Sequence, residues 1–168
     1  MALPTWDEWL ETLPATQRSA ALQLRDTFAQ LGARDPEGWA RSEITEGIPH
    51  LARLLLLRRT WPLIDTWRGD DPPIARLNPA LEEQLRTAGV PLAEVGRLVA
   101  LAAFEAAFAV LNTVDEGHDP DAPDGMPGWQ LTETDSDERP TGRIVGGLHE
   151  DMLETDPRGL WGRDFLPP

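Results

Sequence analysis

Apolar positions in the first two thirds of the chain recur at helical spacing and are punctuated by capping signals. Trp6, Trp9, Leu10 and Leu13 fall at i, i+3, i+4 and i+7 around Thr5-Trp6-Asp7-Glu8, which has the form of a capping box. Pro14 suits the first turn of a second helix, with Ala21, Leu24, Phe28 and Leu31 as its stripe and Gly32 as its stop. Asp35-Pro36 opens a third helix, and Gly47 with Pro49 breaks or kinks it. Leu51, Leu54, Leu55 and Leu57 predict a further piece over 50–59, and a separate short segment over 61–67. Arg68-Gly69-Asp70-Asp71-Pro72-Pro73 is a loop; its Arg-Gly-Asp tripeptide recurs too easily by chance to count as an adhesion motif. Asn78-Pro79 caps a helix ending near Gly89, and Pro91 opens the longest one, reaching about Val114. That helix carries Leu98, Val99, Leu101, Phe104, Phe108 and Leu111, is apolar nearly all round, and is expected at the centre of the bundle.

The pattern changes after Asp115. Residues 117–128 hold three Pro and three Gly with Asp119, Asp121 and Asp124, which predicts an irregular surface loop. Residues 129–134 alternate with period two, and Arg143-Ile144-Val145 is β-branched after a turn-rich stretch. Together they predict a β-hairpin that ends at Gly146-Gly147, followed by a helical turn within 149–154. The expected fold is mainly α, α+β by strict count: a multi-helix bundle with a C-terminal two-stranded β-hairpin and irregular acidic loops. A single domain over 1–168 is expected, with a bundle over 1–114 and the loop, hairpin and tail over 115–168 packed on it. A chain of 168 residues is long enough to bury roughly 70% of its unfolded surface.

Charge sharpens this division. Up to Leu111 there are 15 acidic residues against 11 Arg; from Asn112 onward there are 14 against 4. The overall net charge of −14 argues against sequence-independent binding to nucleic acid or to an anionic membrane, because both need a basic face. Every basic residue is Arg, with no Lys, Cys or Tyr, so disulfides, thiol nucleophiles and Cys-ligated metals are excluded. Residues 1–8 lack a basic n-region, and the apolar run over 98–111 is interrupted by Glu105. Neither a signal peptide nor a spanning helix is expected, which makes the cytoplasm of a bacterium the default location.

Several groups are candidates for chemistry. Glu43, Glu46 and His50 lie at i, i+3 and i+7, roughly along one helix face. The long helix carries Glu105, Asn112, Asp115 and Glu116. If the two faces met, Glu43, Glu46, Glu105 and Asp115 could hold Mg²⁺ or Mn²⁺ and activate a water for attack on a phosphate. Glu43-x-x-Glu46 resembles the acidic pair of the all-helical nucleotide pyrophosphatases. The second pair of that family, Glu-x-x-Asp, has Asn112-x-x-Asp115 as its nearest equivalent here, with one carboxylate missing. The structural alternative gives Glu105 an Arg partner such as Arg53, makes Asn112 a cap and leaves Glu43 and Glu46 in solvent. Residues 115–125 fall short of a calcium loop, since Pro123 occupies a ligand position and Asp124-Gly125 arrives one place late. His149, beside Glu150, Asp151 and two glycines, has the makings of a general base oriented by a carboxylate. Its alternative is a cap or surface residue. No Gly-x-Ser-x-Gly and no phosphate-binding Gly-rich loop occurs.

Trp161 and Phe165 stand in an irregular tail as aromatic anchors for a partner, or fold back onto the body. With Asp119, Asp121 and Asp124 they form the candidate interface. The expected function is therefore non-enzymatic binding of a protein partner, a basic one, through an acidic surface, with immunity proteins and antitoxins as the sharpest form. Direct contact with nucleic acid or membrane is not expected, homo-oligomers are allowed, and no cofactor is expected. A divalent metal enters only in the alternative, a metal-dependent hydrolase acting on a phosphate-containing small molecule.

Overall fold

The computed structural model describes residues 4–160 and Arg163, and Trp161 and Phe165 lie outside the described residues. Eight helices and one two-stranded antiparallel sheet are present among them, which is the mainly α architecture with a C-terminal hairpin. In chain order these are α1 (Trp6–Thr12), α2 (Ala15–Leu31), α3 (Pro36–Glu46), α4 (His50–Asp65), α5 (Ile74–Leu77), α6 (Pro79–Thr87), α7 (Leu92–Glu116), β1 (Thr132–Thr134), β2 (Pro140–Ile144) and α8 (Leu148–Asp151).

Local signals set most boundaries. The Thr5 hydroxyl accepts from the Glu8 backbone N–H while the Glu8 carboxylate accepts from Thr5 N, so two end donors of α1 are satisfied. The Asp35 side chain accepts from Gly38 N, and Asn78 accepts from Leu81 N. Gly32 and Gly47 end their helices in the left-handed region. The expected break at Trp61 is absent, because α4 continues through Pro62. Pro62 and Arg58, four residues before it, are both exposed. Water can therefore satisfy the carbonyl that proline leaves without a donor. Residues 61–67 are thus the end of α4 and its closing turn.

Two hydrophobic clusters share α4. Trp6, Trp9, Leu10, Ala21, Phe28, Trp39, Ala40 and Leu54 form one, from α1 to α4. The other joins Leu57, Trp61 and Ile64 of α4 to Ala100, Phe104 and Leu111 of α7, Val145 beyond β2, and Leu148 and Met152 around α8. The central helix is therefore α4, and the expectation for α7 is overturned. Only Gly96, Ala100, Phe104 and Leu111 of α7 are buried, all along one face. Leu98 is 66% exposed and Val110 62%. By length and composition α7 could cross a membrane, yet only 17% of its most apolar stretch is buried within this fold. The physical reason is one-sided packing: α4 and α8 cover one face, and the other exposes Leu98, Ala102, Glu105, Ala106, Ala109 and Val110. The α7 backbone comes closest to its neighbours at Gly96, where a Cβ would lie 2.6 Å from the Trp67 carbonyl oxygen and 2.9 Å from Pro72.

The hairpin pairs Thr132 with Ile144 and Thr134 with Pro140 across an irregularity in β2, and Val145 N donating to Leu131 O extends it toward the core. Trp129 and Gln130 precede the paired region and belong to no strand. Trp129 instead closes the acidic loop on α7, with its backbone N–H on Gly117 O and its Nε1 on Thr113 O.

Candidate functional site: a charged junction at the end of α7

Charged and polar groups from α3, α4, α7, α8 and the hairpin are paired at one junction. Arg143 of β2 binds both Glu43 (2.9 Å) and Glu133, so it ties the hairpin to α3. These bonds raise the Arg143 pKa, with Glu133 the larger contributor. Glu43 is buried, and its second oxygen accepts from Leu51 N at 2.9 Å, satisfying a free donor in the first turn of α4. Its neighbour Glu46 is exposed.

His50 is also buried, between Ser42 and Arg53. Arg53 Nη1 lies 3.3 Å from Nδ1, and Ser42 Oγ lies 2.9 Å from Nε2. A guanidinium only donates, so Nδ1 is the acceptor and the proton sits on Nε2, pointing at Ser42. This tautomer cannot take a proton from Ser42, so the pair is not an activated nucleophile. Burial, followed by the charge of Arg53, depresses the His50 pKa to about 4, against a small opposing effect of Glu46.

That shift has a sign. Between pH 6.5 and about 4 the unfolded chain takes up a proton that folded His50 refuses. The resulting stability is complete above pH 6.5 and is lost as pH falls toward 4. In His50→Gln the loss of unfolding free energy between pH 7 and pH 4.5 should shrink by about 2 kcal/mol, measured by urea titration at both pH values.

Arg53 pairs with Asp151 at 3.1 Å and not with Glu105, which is exposed on the outer side of α7. Among the described residues no N–H is directed at this Asp151 oxygen, so the contact with Arg53 is electrostatic rather than a directed hydrogen bond. Burial raises the Asp151 pKa, outweighing the attraction of Arg53. The Arg53 head occupies space only a glycine leaves open, since a Cβ at Gly147 would lie 1.7 Å from Nη2.

Asp115 is the remaining member. Its Oδ2 accepts from His149 N (3.1 Å) and from His149 Nδ1 (2.7 Å), which places a proton on Nδ1, so that in the neutral ring Nε2 is the acceptor. The carboxylate that orients His149 therefore comes from the end of α7 rather than from adjacent Glu150 or Asp151. The ring meets Phe108 edge-on at 5.5 Å. The dyad has the form of an oriented base. His149 lines neither of the two clefts that border this junction, and no Ser or Thr hydroxyl reaches its Nε2 among the described residues.

The four carboxylates considered for a metal are dispersed. Glu43 faces Arg143, Glu46 and Glu105 are exposed, and Asp115 faces His149. Among the described residues no group of three or more His, Asp or Glu is arranged to hold a metal ion, Asp119, Asp121 and Asp124 included. Asn112 donates to Glu116 one turn on and does not cap α7, which ends at Gly117. Sequence reasoning missed Arg143, Glu133 and the Arg53–Asp151 pairing. The paired glycines 146 and 147 were the one local sign of close approach here.

Two clefts border this region. One, of about 520 Å³, lies over Trp39, Leu54 and Trp61 with Arg34, Arg58 and Glu154 around it. The other, of about 530 Å³, lies between the last turn of α7 and the hairpin. A scan against protein-family models finds no match, and no curated protein or solved structure is significantly similar to the chain.

Proposed function

We propose that this chain is a non-enzymatic binding protein that recognises a basic protein partner through an acidic surface, in its sharpest form an immunity- or antitoxin-type inhibitor in a bacterial cytoplasm. The observation that carries the reading is an unequal placement of charge. Arg18 holds the carbonyls of Leu10, Glu11 and Leu13; Arg41 holds that of Pro4; Arg53, Arg68 and Arg143 face buried or half-buried carboxylates. Those cations are engaged within the fold. Asp119, Asp121 and Asp124 on the loop are exposed, as are Asp137 and Glu138 at the hairpin tip, where Asp137 pairs with Arg139. Arg53, Arg68 and Arg143 are offset by the carboxylates they face, so the surface excess lies in the loop itself: residues 117–128 carry three exposed carboxylates and no Arg. A face of one sign speeds encounter with an oppositely charged partner and rejects others.

The test is capture and identification of the partner, then measurement of its Kd across salt concentrations for the natural chain and for the triple variant Asp119→Asn, Asp121→Asn, Asp124→Asn. The expected result is at least tenfold weaker binding between 50 and 300 mM salt, and weaker binding with a shallower salt response in the variant. An association indifferent to salt would overturn the proposal.

A further inference from the structure

The cleft at the end of α7 has a chemical character of its own. It is lined by Asp115, Glu116, Trp129, Leu131, Ile144 and Gly146 among others, and none of the described residues lining it is basic. Asp115 is the informative member. Its side chain is only 9% exposed, and Oδ2 carries both bonds to His149. Oδ1 is buried and accepts no hydrogen bond among the described residues. A buried carboxylate oxygen without a donor costs free energy and calls for a partner that brings N–H groups. Gly146, which also lines the cleft, is near this oxygen: a Cβ there would stand 3.9 Å from Oδ1.

Three further features favour a cation here. Glu116 is exposed at the cleft, with its carboxylate held by Asn112. The cleft adjoins the C-terminus of a 25-residue helix, the negative end of its dipole. Trp129 is 40% exposed, and its indole is held in place by the bond from Nε1 to Thr113 O. An indole beside carboxylates suits a guanidinium, which stacks on the ring while its N–H fork meets the oxygens. A simple metal ion is less well served, because it would gain nothing from the indole, Leu131 or Ile144.

We infer that this cleft is a receptor for a guanidinium group, that is, for an arginine side chain presented by the basic partner. The inference rests on the partner-binding reading and names the seat for that partner's arginine. The guanidinium lies against Trp129 and meets Glu116 and, through a small shift at Gly146, Asp115.

The test is an amide ¹H–¹⁵N titration of the full chain with N-acetyl-arginine amide and, separately, with its neutral isostere N-acetyl-citrulline amide. The Trp129 indole N–H, assigned by its loss in Trp129→Phe, and the Gly117 and Gly146 amides are the reporters. Saturable shifts with the arginine compound, absent with citrulline and at least threefold weaker in Glu116→Gln, are expected. Glu116 is exposed and the variant keeps a polar amide there, so the fold should persist, checked by its thermal melt. Equal shifts with citrulline, equal shifts with Ca²⁺, or no saturation would overturn the inference. Failure of the broader reading has a different signature. A captured partner whose salt-sensitive binding ignores Glu116→Gln overturns only the cleft. Saturable arginine binding beside a salt-indifferent partner supports the cleft and overturns the acidic-surface proposal.

Discussion

Trp61→Ala should lower the unfolding free energy by about 3–5 kcal/mol, as large-to-small substitutions of buried aromatics do. Trp61 is 1% exposed in the last third of α4, with Phe104 of α7 at a ring separation of 6.0 Å and the Arg68 guanidinium 4.9 Å from its centroid. Its Nε1 donates to Met152 O and to Thr155 Oγ1, so one side chain joins α4 and α7 to the segment after α8. For a chain of this size a loss of that order lowers Tm by roughly 10 °C. Trp61→Phe separates the two contributions. It keeps most of the apolar volume but removes the donor shared by Met152 O and Thr155 Oγ1, which remain bonded to each other, and should cost about 1 kcal/mol. Urea unfolding followed by far-ultraviolet circular dichroism measures both without relying on the fluorescence that the substitutions alter. Equal small losses in both variants would place the core elsewhere.

The second large effect is expected at the buried ion pair. Arg53→Met at pH 7 should cost about 3–5 kcal/mol, because it strands Asp151 without its counter-charge and removes the donor from His50 Nδ1. Burial already pushes the Asp151 pKa up in spite of Arg53, so the carboxylate is a costly group even when paired. Asp151→Asn alone should therefore be far milder than Arg53→Met. The double variant Arg53→Met/Asp151→Asn should recover a large part of the loss. The deficit of Arg53→Met should also shrink as pH falls and Asp151 takes up a proton. A double-mutant cycle in urea at pH 7 and at pH 5 reads all three outcomes. A cycle with no coupling would mean that Arg53 acts only through packing.

Features governed by a few adjacent residues were legible in the sequence. Thr5 with Glu8, Asp35 with Pro36, and Asn78 with Pro79 start helices, and Gly32 and Gly47 stop them, because each signal works through bonds spanning four residues or fewer. The hairpin followed from alternation and turn chemistry in the same way. The centre of the fold was not legible. By composition α7 is the more apolar helix, while α4 carries Arg53, Arg58, Arg59 and Pro62. Yet α4 contributes to both hydrophobic clusters and α7 to one. Burial depends on what packs against each face, and no pattern within a helix records that.

The junction was half legible for the same reason. His149 and the glycines before it stood out, but the carboxylate that orients the ring is Asp115, 34 residues earlier and brought there by the length of α7. Glu43 was singled out as a metal ligand and His50 as a polar-site neighbour on the strength of shared spacing. Their partners are Arg143 and the Ser42–Arg53 pair, placed by the hairpin and by the break at Gly47. Spacing along one helix carries no information about an arginine 100 residues away.

The most direct test of the acidic-surface account is the salt dependence of Kd for the captured partner, with the natural chain and the Asp119/Asp121/Asp124→Asn variant side by side. The account predicts a steep weakening with salt that becomes shallower when the loop is neutralised, since exposed charges are screened over about 10 Å at 0.1 M. Superimposable curves, or a Kd unmoved by salt, would contradict it.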